Sequence, residues 1–208
     1  MDRYVRQSAL VDQTRLKKSK VLVAGVGGLG NFVATELVLA GVGHVAVVDP
    51  DVVEAHNLNR QFLFTEEDVG KPKAEIAAER LSKLNPDVEV VGVVGKWQEL
   101  DINDYNIVFD CLDVWKEKRA LMSARRGLLI SGSVGEDVGY VAVLDKKRIE
   151  KEKIRGTCTA RVLGARVGVI GSMMANEGIR ELNGGHSPLK DRMLYVDFGE
   201  MAFYTFEL

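Results

Sequence analysis

Gly25-Val26-Gly27-Gly28-Leu29-Gly30 follows the β-branched run Val21-Leu22-Val23-Ala24 and opens an apolar segment from Leu29 to Ala40. A strand that ends in G-x-G-x-x-G and turns straight into a helix has three properties: a tight turn, room for an outside group beside the glycines, and close packing of helix on strand. The free N–H groups at the helix start, with the helix dipole, favour an anion there. Gly41 and Gly43 end the helix, and His44 to Val48 reads as a second apolar strand closed by Asp49-Pro50-Asp51. This is a βαβ unit, and a right-handed crossover makes its strands parallel neighbours. Asp49 falls at the end of the second strand, where a carboxylate accepts hydrogen bonds from ribose hydroxyls. The pattern predicts binding of an adenosine-containing nucleotide and leaves open which one.

Strand and helix go on alternating. Pro72 suits the first position of a helix running to Leu84, which Asn85-Pro86 stops. Val88 to Val94, Ile107 to Phe109, Leu128 to Ile130 and Tyr140 to Leu144 read as strands, and Val114 to Arg126 as a helix. Val5 to Lys18, apolar at Val5, Leu10, Val11 and Leu16, is predicted as an opening helix. Arg161 to Leu182 is predicted as a long helix although it contains Gly164, Gly168 and Gly171, each costing about 1 kcal/mol relative to alanine. Glycines kept at that cost imply that something approaches the helix closely, and Arg166 and Glu177 argue against a membrane span. Met193 to Leu208 reads as a hairpin turning at Gly199-Glu200. With 208 residues, 46% hydrophobic, and neither a repeat nor a linker, residues 1–208 are expected to form one domain. The expected fold is α/β: a Rossmann-like, doubly wound, mostly parallel sheet with helices on both faces and a C-terminal antiparallel hairpin.

Charge and cysteine content narrow the chemistry. Twenty-eight Lys and Arg against thirty Asp and Glu give no overall pull toward nucleic acid or an anionic membrane. The N-terminus lacks an apolar core of the signal-peptide kind and no apolar stretch is long enough to span a bilayer, so a cytoplasmic protein is expected. Cys111 and Cys158 are far apart and form no CxxC pair, which excludes a disulfide framework and a Cys-rich zinc site. The charged stretch Asp145 to Gly156 reads as a solvated loop.

NAD and ATP share adenosine, ribose and phosphates, so groups able to act on a phosphate must decide between them. Arg60, within His56-Asn57-Leu58-Asn59-Arg60-Gln61, and Lys73, within Gly70-Lys71-Pro72-Lys73, are candidates. Lysines at a helix start oppose the dipole, and a bound polyphosphate would reverse that sign. The alternatives are an Arg60 surface ion pair and a solvated Lys73. Asp110 and Asp113 end the Ile107-Val108-Phe109 strand, at the edge where open α/β sheets bind ligands; one could hold Mg²⁺, or Asp113 could cap the next helix. Nucleotidyl transfer needs cations around the α-phosphate and the leaving pyrophosphate, with a carboxylate for the metal. Hydride transfer needs none of these groups in those roles.

Together, RYVRQ, GVGGLG, VVDPDVVEAHNLNRQF, VGKPK, DCLD, TC ahead of a glycine-rich helix, and VIGSMMANEGIREL resemble the ThiF/MoeB/HesA family, related to ubiquitin-activating enzymes. The resemblance covers nearly the whole chain. It implies that ATP adenylates the C-terminal glycine of a small β-grasp sulfur-carrier protein of the ThiS or MoaD kind, ending in Gly-Gly, with release of pyrophosphate. It assigns Gly25, Gly27, Gly28 and Gly30 to the phosphate turn, Asp49 to the ribose, and Asp51 to the nucleotide site. Asn57, Arg60 and Lys73 fall to the triphosphate, Leu112 beside the nucleotide and Asp113 to Mg²⁺. Arg6 resembles an arginine that enters the partner subunit's site, which implies a catalytic homodimer. Cys158 lies near the family's thioester or persulfide cysteine, with imperfect spacing to the following helix. Many members hold zinc through two CxxC pairs; this chain has neither, and no zinc is expected. The rival readings are a tRNA-modifying dehydratase-like member, an NAD(P)-dependent oxidoreductase, and a non-catalytic nucleotide-binding partner.

Overall fold

A computed structural model describes residues 2–145 and 161–208, so most of the charged 145–156 stretch, and Cys158, lie outside the described residues. Among the described residues one eight-stranded sheet runs in the order β3-β2-β1-β4-β5-β6-β7-β8. Strands β1 (Lys20–Ala24), β2 (His44–Asp49), β3 (Glu89–Val94), β4 (Ile107–Asp110) and β5 (Leu128–Val134) are parallel. Strands β6 (Val138–Leu144), β7 (Arg192–Asp197) and β8 (Ala202–Glu207) continue the sheet antiparallel.

Successive side chains of a strand point to opposite faces, and in the central strands both faces are covered, so β1, β2 and β4 are mostly apolar, whereas the edge strand β3 is partly exposed. Val21, Val23, Val45, Val47 and Phe109 face a layer made by α2 (Gly28–Ala40), α3 (Lys73–Leu84) and α5 (Gly164–Leu182). Leu22, Ala24, Ala46, Val48 and Val108 face the other way, against Leu121 and Met122 of α4 (Trp115–Ala124) and the side chains Trp97 and Ile102. The expected doubly wound sheet with a terminal antiparallel hairpin is the observed one, with β5 and β6 extending furthest beyond their expected apolar runs and β3 starting one residue later.

The opening helix is the clearest departure. Residues 3–10 form turns, and α1 is only Gln13–Lys17. Asp12 begins it by accepting hydrogen bonds from the N–H groups of Thr14 and Arg15, and Leu16 is its one buried residue. Val5 and Leu10 are 61% and 78% exposed, so their spacing meets no apolar surface, and without such packing a short helix is marginal. Pro72 is the cap before α3, with extended backbone, rather than its first helical residue. Val114, not Asp113, occupies the cap position of α4.

The glycines of α5 are explained by packing. Gly168 and Gly171 lie under the Phe32 ring system of α2, where an added Cβ at Gly171 would come 2.7 Å from Cβ of Phe32. An added Cβ at Gly178 would overlap the edge of the Phe109 ring of β4. Among the described residues no helix is long and apolar enough to cross a membrane. Because Phe109 is fully buried and has little space to yield, Gly178→Ala is expected to lower stability by about 1–3 kcal/mol in urea denaturation. An unchanged midpoint would show that the helix is not pressed onto β4.

Candidate active site

Strand β1 pairs with β2 on one side and β4 on the other, so the chain reverses its winding at β1 and leaves a crevice beyond the strand ends. The glycine turn fills the base of that crevice. Gly25 has φ +90°, a conformation that L side chains rarely adopt, and a Cβ there would also meet the carbonyl oxygen of Cys111 at 3.0 Å. A Cβ on Gly30 would overlap the carbonyl oxygen of Gly25, so only glycine lets α2 start this close to the turn. Gly27 caps the helix and Gly28 begins it. A Cβ on Gly28 would stand 3.6 Å from both Cγ and Cδ of Arg60, which places the arginine stem across the turn.

The loop after β2 brings the other cations. Lys73 N–H donates to the carbonyl of Asp51 and Val53 N–H to that of Lys71, which pins the start of α3 beside the end of β2. Lys73 is buried, with Nζ 3.3 Å from the largely exposed Asp51 carboxylate; the solvated-lysine reading is therefore not what the fold gives. Asp49 is buried, and its two oxygens accept from Val26 N–H at 2.7 Å and Asp51 N–H at 2.8 Å. Burial pushes the Asp49 carboxyl above the ordinary aspartate range, against the opposing pull of those two donors and of Lys73. Asn57 is buried, and its Oδ1 accepts from Glu54 N–H. Arg60 Nη1 donates to the His56 carbonyl and to Asn59 Oδ1 and has no carboxylate partner among the described residues, so the ion-pair alternative does not apply.

The two carboxylates after β4 have different fates. Asp110 is fully buried and lies 3.0 Å from Nζ of the equally buried Lys118, while Ser131 Oγ donates to it at 2.7 Å. Lys118 also donates to the Gly132 carbonyl at 2.9 Å. Asp113 is exposed, makes no ion pair among the described residues, and is the carboxylate available to a cation. Leu112, half-buried, donates its N–H to Asp110 Oδ1. The described residues contain no group of three or more His, Cys, Asp or Glu side chains arranged to hold a metal. A Mg²⁺ ion held by one carboxylate, phosphate oxygens and water needs no such group, so Asp113 fits that ion.

Gly25, Gly27, Gly28, Gly30, Asp49, Asp51, Asn57, Lys73, Leu112 and Asp113 lie on the turn, the strand ends and the loops around the crevice, with Arg60 laid over its base. Arg6 does not join them. Its neighbour Gln7 donates to the Ala40 carbonyl, and Tyr4 Oη accepts from Asn85, which places the segment at the far ends of α2 and α3, on the opposite edge of the sheet. Burial, the largest influence on Cys111, pushes its thiol far up, as suits a small core residue. Two further polar residues were not singled out from the sequence. Asn31, fully buried in α2, bridges the glycine turn to the loop carrying Arg60. Gln61, also buried, has an Oε1 without a hydrogen-bond partner among the described residues, and its Nε2 lies 3.8 Å from where a Cβ of Gly27 would be. A polar residue inside the apolar run Leu29–Ala40 was the available signal for Asn31.

This is a doubly wound α/β domain with its glycine turn at the switch point. The chain belongs to the ThiF family, whose model matches residues 2–208. It is similar to the sulfur carrier protein adenylyltransferase of Thermus thermophilus, at 36% identity over 98% of this chain and 85% of the relative. It is also similar to the sulfur carrier protein ThiS adenylyltransferase of Escherichia coli, at 34% identity over 93% of this chain and 86% of the relative. The crystal structure of E. coli MccB with ATP shares the fold, with a TM-score of 0.84 at 20% identity over 99% of this chain and 70% of that chain.

Removing one member of the buried Asp110–Lys118 pair strands the other charge. Asp110→Asn and Lys118→Met should each cost about 3–5 kcal/mol in chemical denaturation, and the double variant less than their sum. Additive losses would show that the two groups do not interact.

Proposed function

We propose that this chain is an ATP-dependent adenylyltransferase that activates the C-terminal glycine carboxylate of a small sulfur-carrier or ubiquitin-like protein. The observation that carries the reading is the placing of a glycine turn, a crossing arginine, a buried lysine and a free aspartate around one crevice in a ThiF-family chain. Relatives with 34–36% identity named as sulfur carrier adenylyltransferases support the choice of substrate.

In this reading the adenosine ribose lies on the Asp49 and Asp51 side, with Leu112 against the nucleoside. The N–H groups of the turn and of the α2 start, the Arg60 guanidinium and the Lys73 ammonium hold the triphosphate, with Asn57 beside them. Mg²⁺ at Asp113 would supply further charge neutralisation on the phosphate oxygens. The carrier carboxylate oxygen attacks the α-phosphorus in line; the new P–O bond forms as the bond to pyrophosphate breaks, and the leaving group carries its electron pair away. Arg60 and Lys73 lower the barrier by meeting the charge that builds on those oxygens.

An exposed sheet edge supports a protein as substrate. Strand β8 ends the sheet order among the described residues, and its Phe203 on one face and Tyr204 and Phe206 on the other are about half exposed, apolar side chains of the kind that protein partners cover. The reading also takes residues 1–208 as one catalytic domain working as a cytoplasmic homodimer. The exposed Arg6, remote from the crevice of its own chain, acts in the partner's site. Cys158, should it accept the acyl group, would act after adenylation as a thiolate that displaces AMP.

Exchange of labelled pyrophosphate into ATP tests the reaction. It should require Mg²⁺ and a carrier with an intact Gly-Gly end, and fall by at least about a hundred-fold in Arg60→Ala and in Asp113→Ala. Tight binding of Mg-ATP without exchange against any such carrier would overturn the proposal. Mixing Arg6→Ala protomers with Arg60→Ala protomers tests the shared site: each alone should be inactive, and the mixture should recover about a quarter of wild-type exchange, because half of the dimers are mixed and each has one intact site. No recovery from subunits shown to exchange would place Arg6 outside the partner's site.

A further inference from the structure

We infer that Asn31 is a positioning residue that aims the phosphate-binding N–H groups of Gly27 and Gly28 and fixes their distance from the Arg60 loop; this rests on the ATP reading above. Asn31 is fully buried in an otherwise apolar stretch of α2, a position where an apolar side chain would be favoured on burial and helix propensity alone. Each of its amide atoms is used. Nδ2 donates to the Val26 carbonyl at 2.9 Å and to the Gly27 carbonyl at 3.0 Å, and Oδ1 accepts from Leu63 N–H at 2.8 Å.

The consequence follows from peptide geometry. In a trans peptide the C=O of one residue and the N–H of the next point in opposite directions. No cis bond occurs among the described residues, so a Val26 carbonyl drawn to Asn31 turns the Gly27 N–H away from it. The Gly27 carbonyl, held by both Nδ2 and the backbone N–H of Asn31, turns the Gly28 N–H away in the same manner. Neither N–H donates to a described residue, as expected at the open end of a helix. Val26 N–H is held in turn by Asp49 Oδ2, so the Val26 peptide groups are gripped from both sides. The second role is spacing. Leu63 lies three residues beyond Arg60, whose stem crosses Gly28, so the bond to Asn31 Oδ1 ties the cation's loop to the turn. Gln61, in the same loop, lies beside the turn as well, its Nε2 3.8 Å from where a Cβ of Gly27 would be.

Asn31 would touch no substrate atom, so its effect should depend on the phosphates. Isothermal titration of the full chain with Mg-ATP and with adenosine separates the two. In Asn31→Ala, Kd for ATP is expected to rise about ten-fold, the loss of one hydrogen bond to a charged group, while Kd for adenosine stays within about two-fold. Amide NMR shifts of Gly27 and Gly28 on adding inorganic pyrophosphate should be large in the wild type and reduced in the variant. Combining Asn31→Ala with Arg60→Ala should lose less than the sum of the separate losses. Equal weakening of ATP and adenosine, or no weakening of either, overturns the role of Asn31 while leaving ATP binding by the wild type intact. A wild-type chain that binds neither nucleotide overturns both readings. Should Asn31→Ala fail to fold by circular dichroism, Asn31→Ser, which cannot reach Leu63, makes the same comparison.

Discussion

The absence of a side chain at Gly30 is the constraint on which the rest of the crevice depends. Any Cβ there would collide with the carbonyl oxygen of Gly25, so α2 can begin against the turn only because both positions are glycine. With the helix start fixed, its open N–H groups lie at the carboxyl edge of β1, between the ends of β2 and β4. Every other group of the candidate site is placed relative to that point. Arg60 crosses Gly28, and Asp49 receives Val26 N–H.

Around this turn the charges are sorted by burial. Asp110 and Lys118 neutralise each other inside the fold, an arrangement whose desolvation cost is offset only when its hydrogen bonds are complete, as those from Ser131 and to Gly132 indicate. That pair leaves Asp113 as the carboxylate that faces water. Lys73 is buried, with its ammonium 3.3 Å from the exposed Asp51 carboxylate and close enough to the buried Asp49 to oppose the upward push on that carboxyl. A crevice with a raised-pKa carboxyl at Asp49, a confined cation and an open helix end suits a ligand carrying ribose and phosphates together.

Much of this was legible in the sequence because it depends on local rules. Alternating apolar runs separated by glycine, proline and asparagine gave the order of strands and helices, and the glycine spacing marked the crevice. The opening segment misled because Val5, Leu10, Val11 and Leu16 have helical spacing, yet only a tertiary surface decides whether such a stripe is buried; here Val5 and Leu10 face water. Between Asp110 and Asp113 the residues themselves left the choice open and only the family resemblance pointed to Asp113; the physical difference is Lys118 reaching back from α4 to Asp110. Asn31 and Gln61 escaped notice because their partners are main-chain groups and glycines brought near only by folding. Arg6 sits in a segment that Gln7 and Tyr4 hold at the far edge of the sheet from the crevice, a distance that only the folded chain reveals.

In the proposed reaction the glycine turn holds the phosphates of ATP with the α-phosphorus open to attack. A crystal structure of the chain with Mg²⁺ and α,β-methylene ATP tests it directly. Phosphate oxygens are expected on the N–H groups at the start of α2, Arg60 and Lys73 on the triphosphate, the ribose hydroxyls on Asp49, and the metal between Asp113 and the phosphates. A nucleotide bound elsewhere, or one whose phosphates point away from the turn toward solvent, would contradict it.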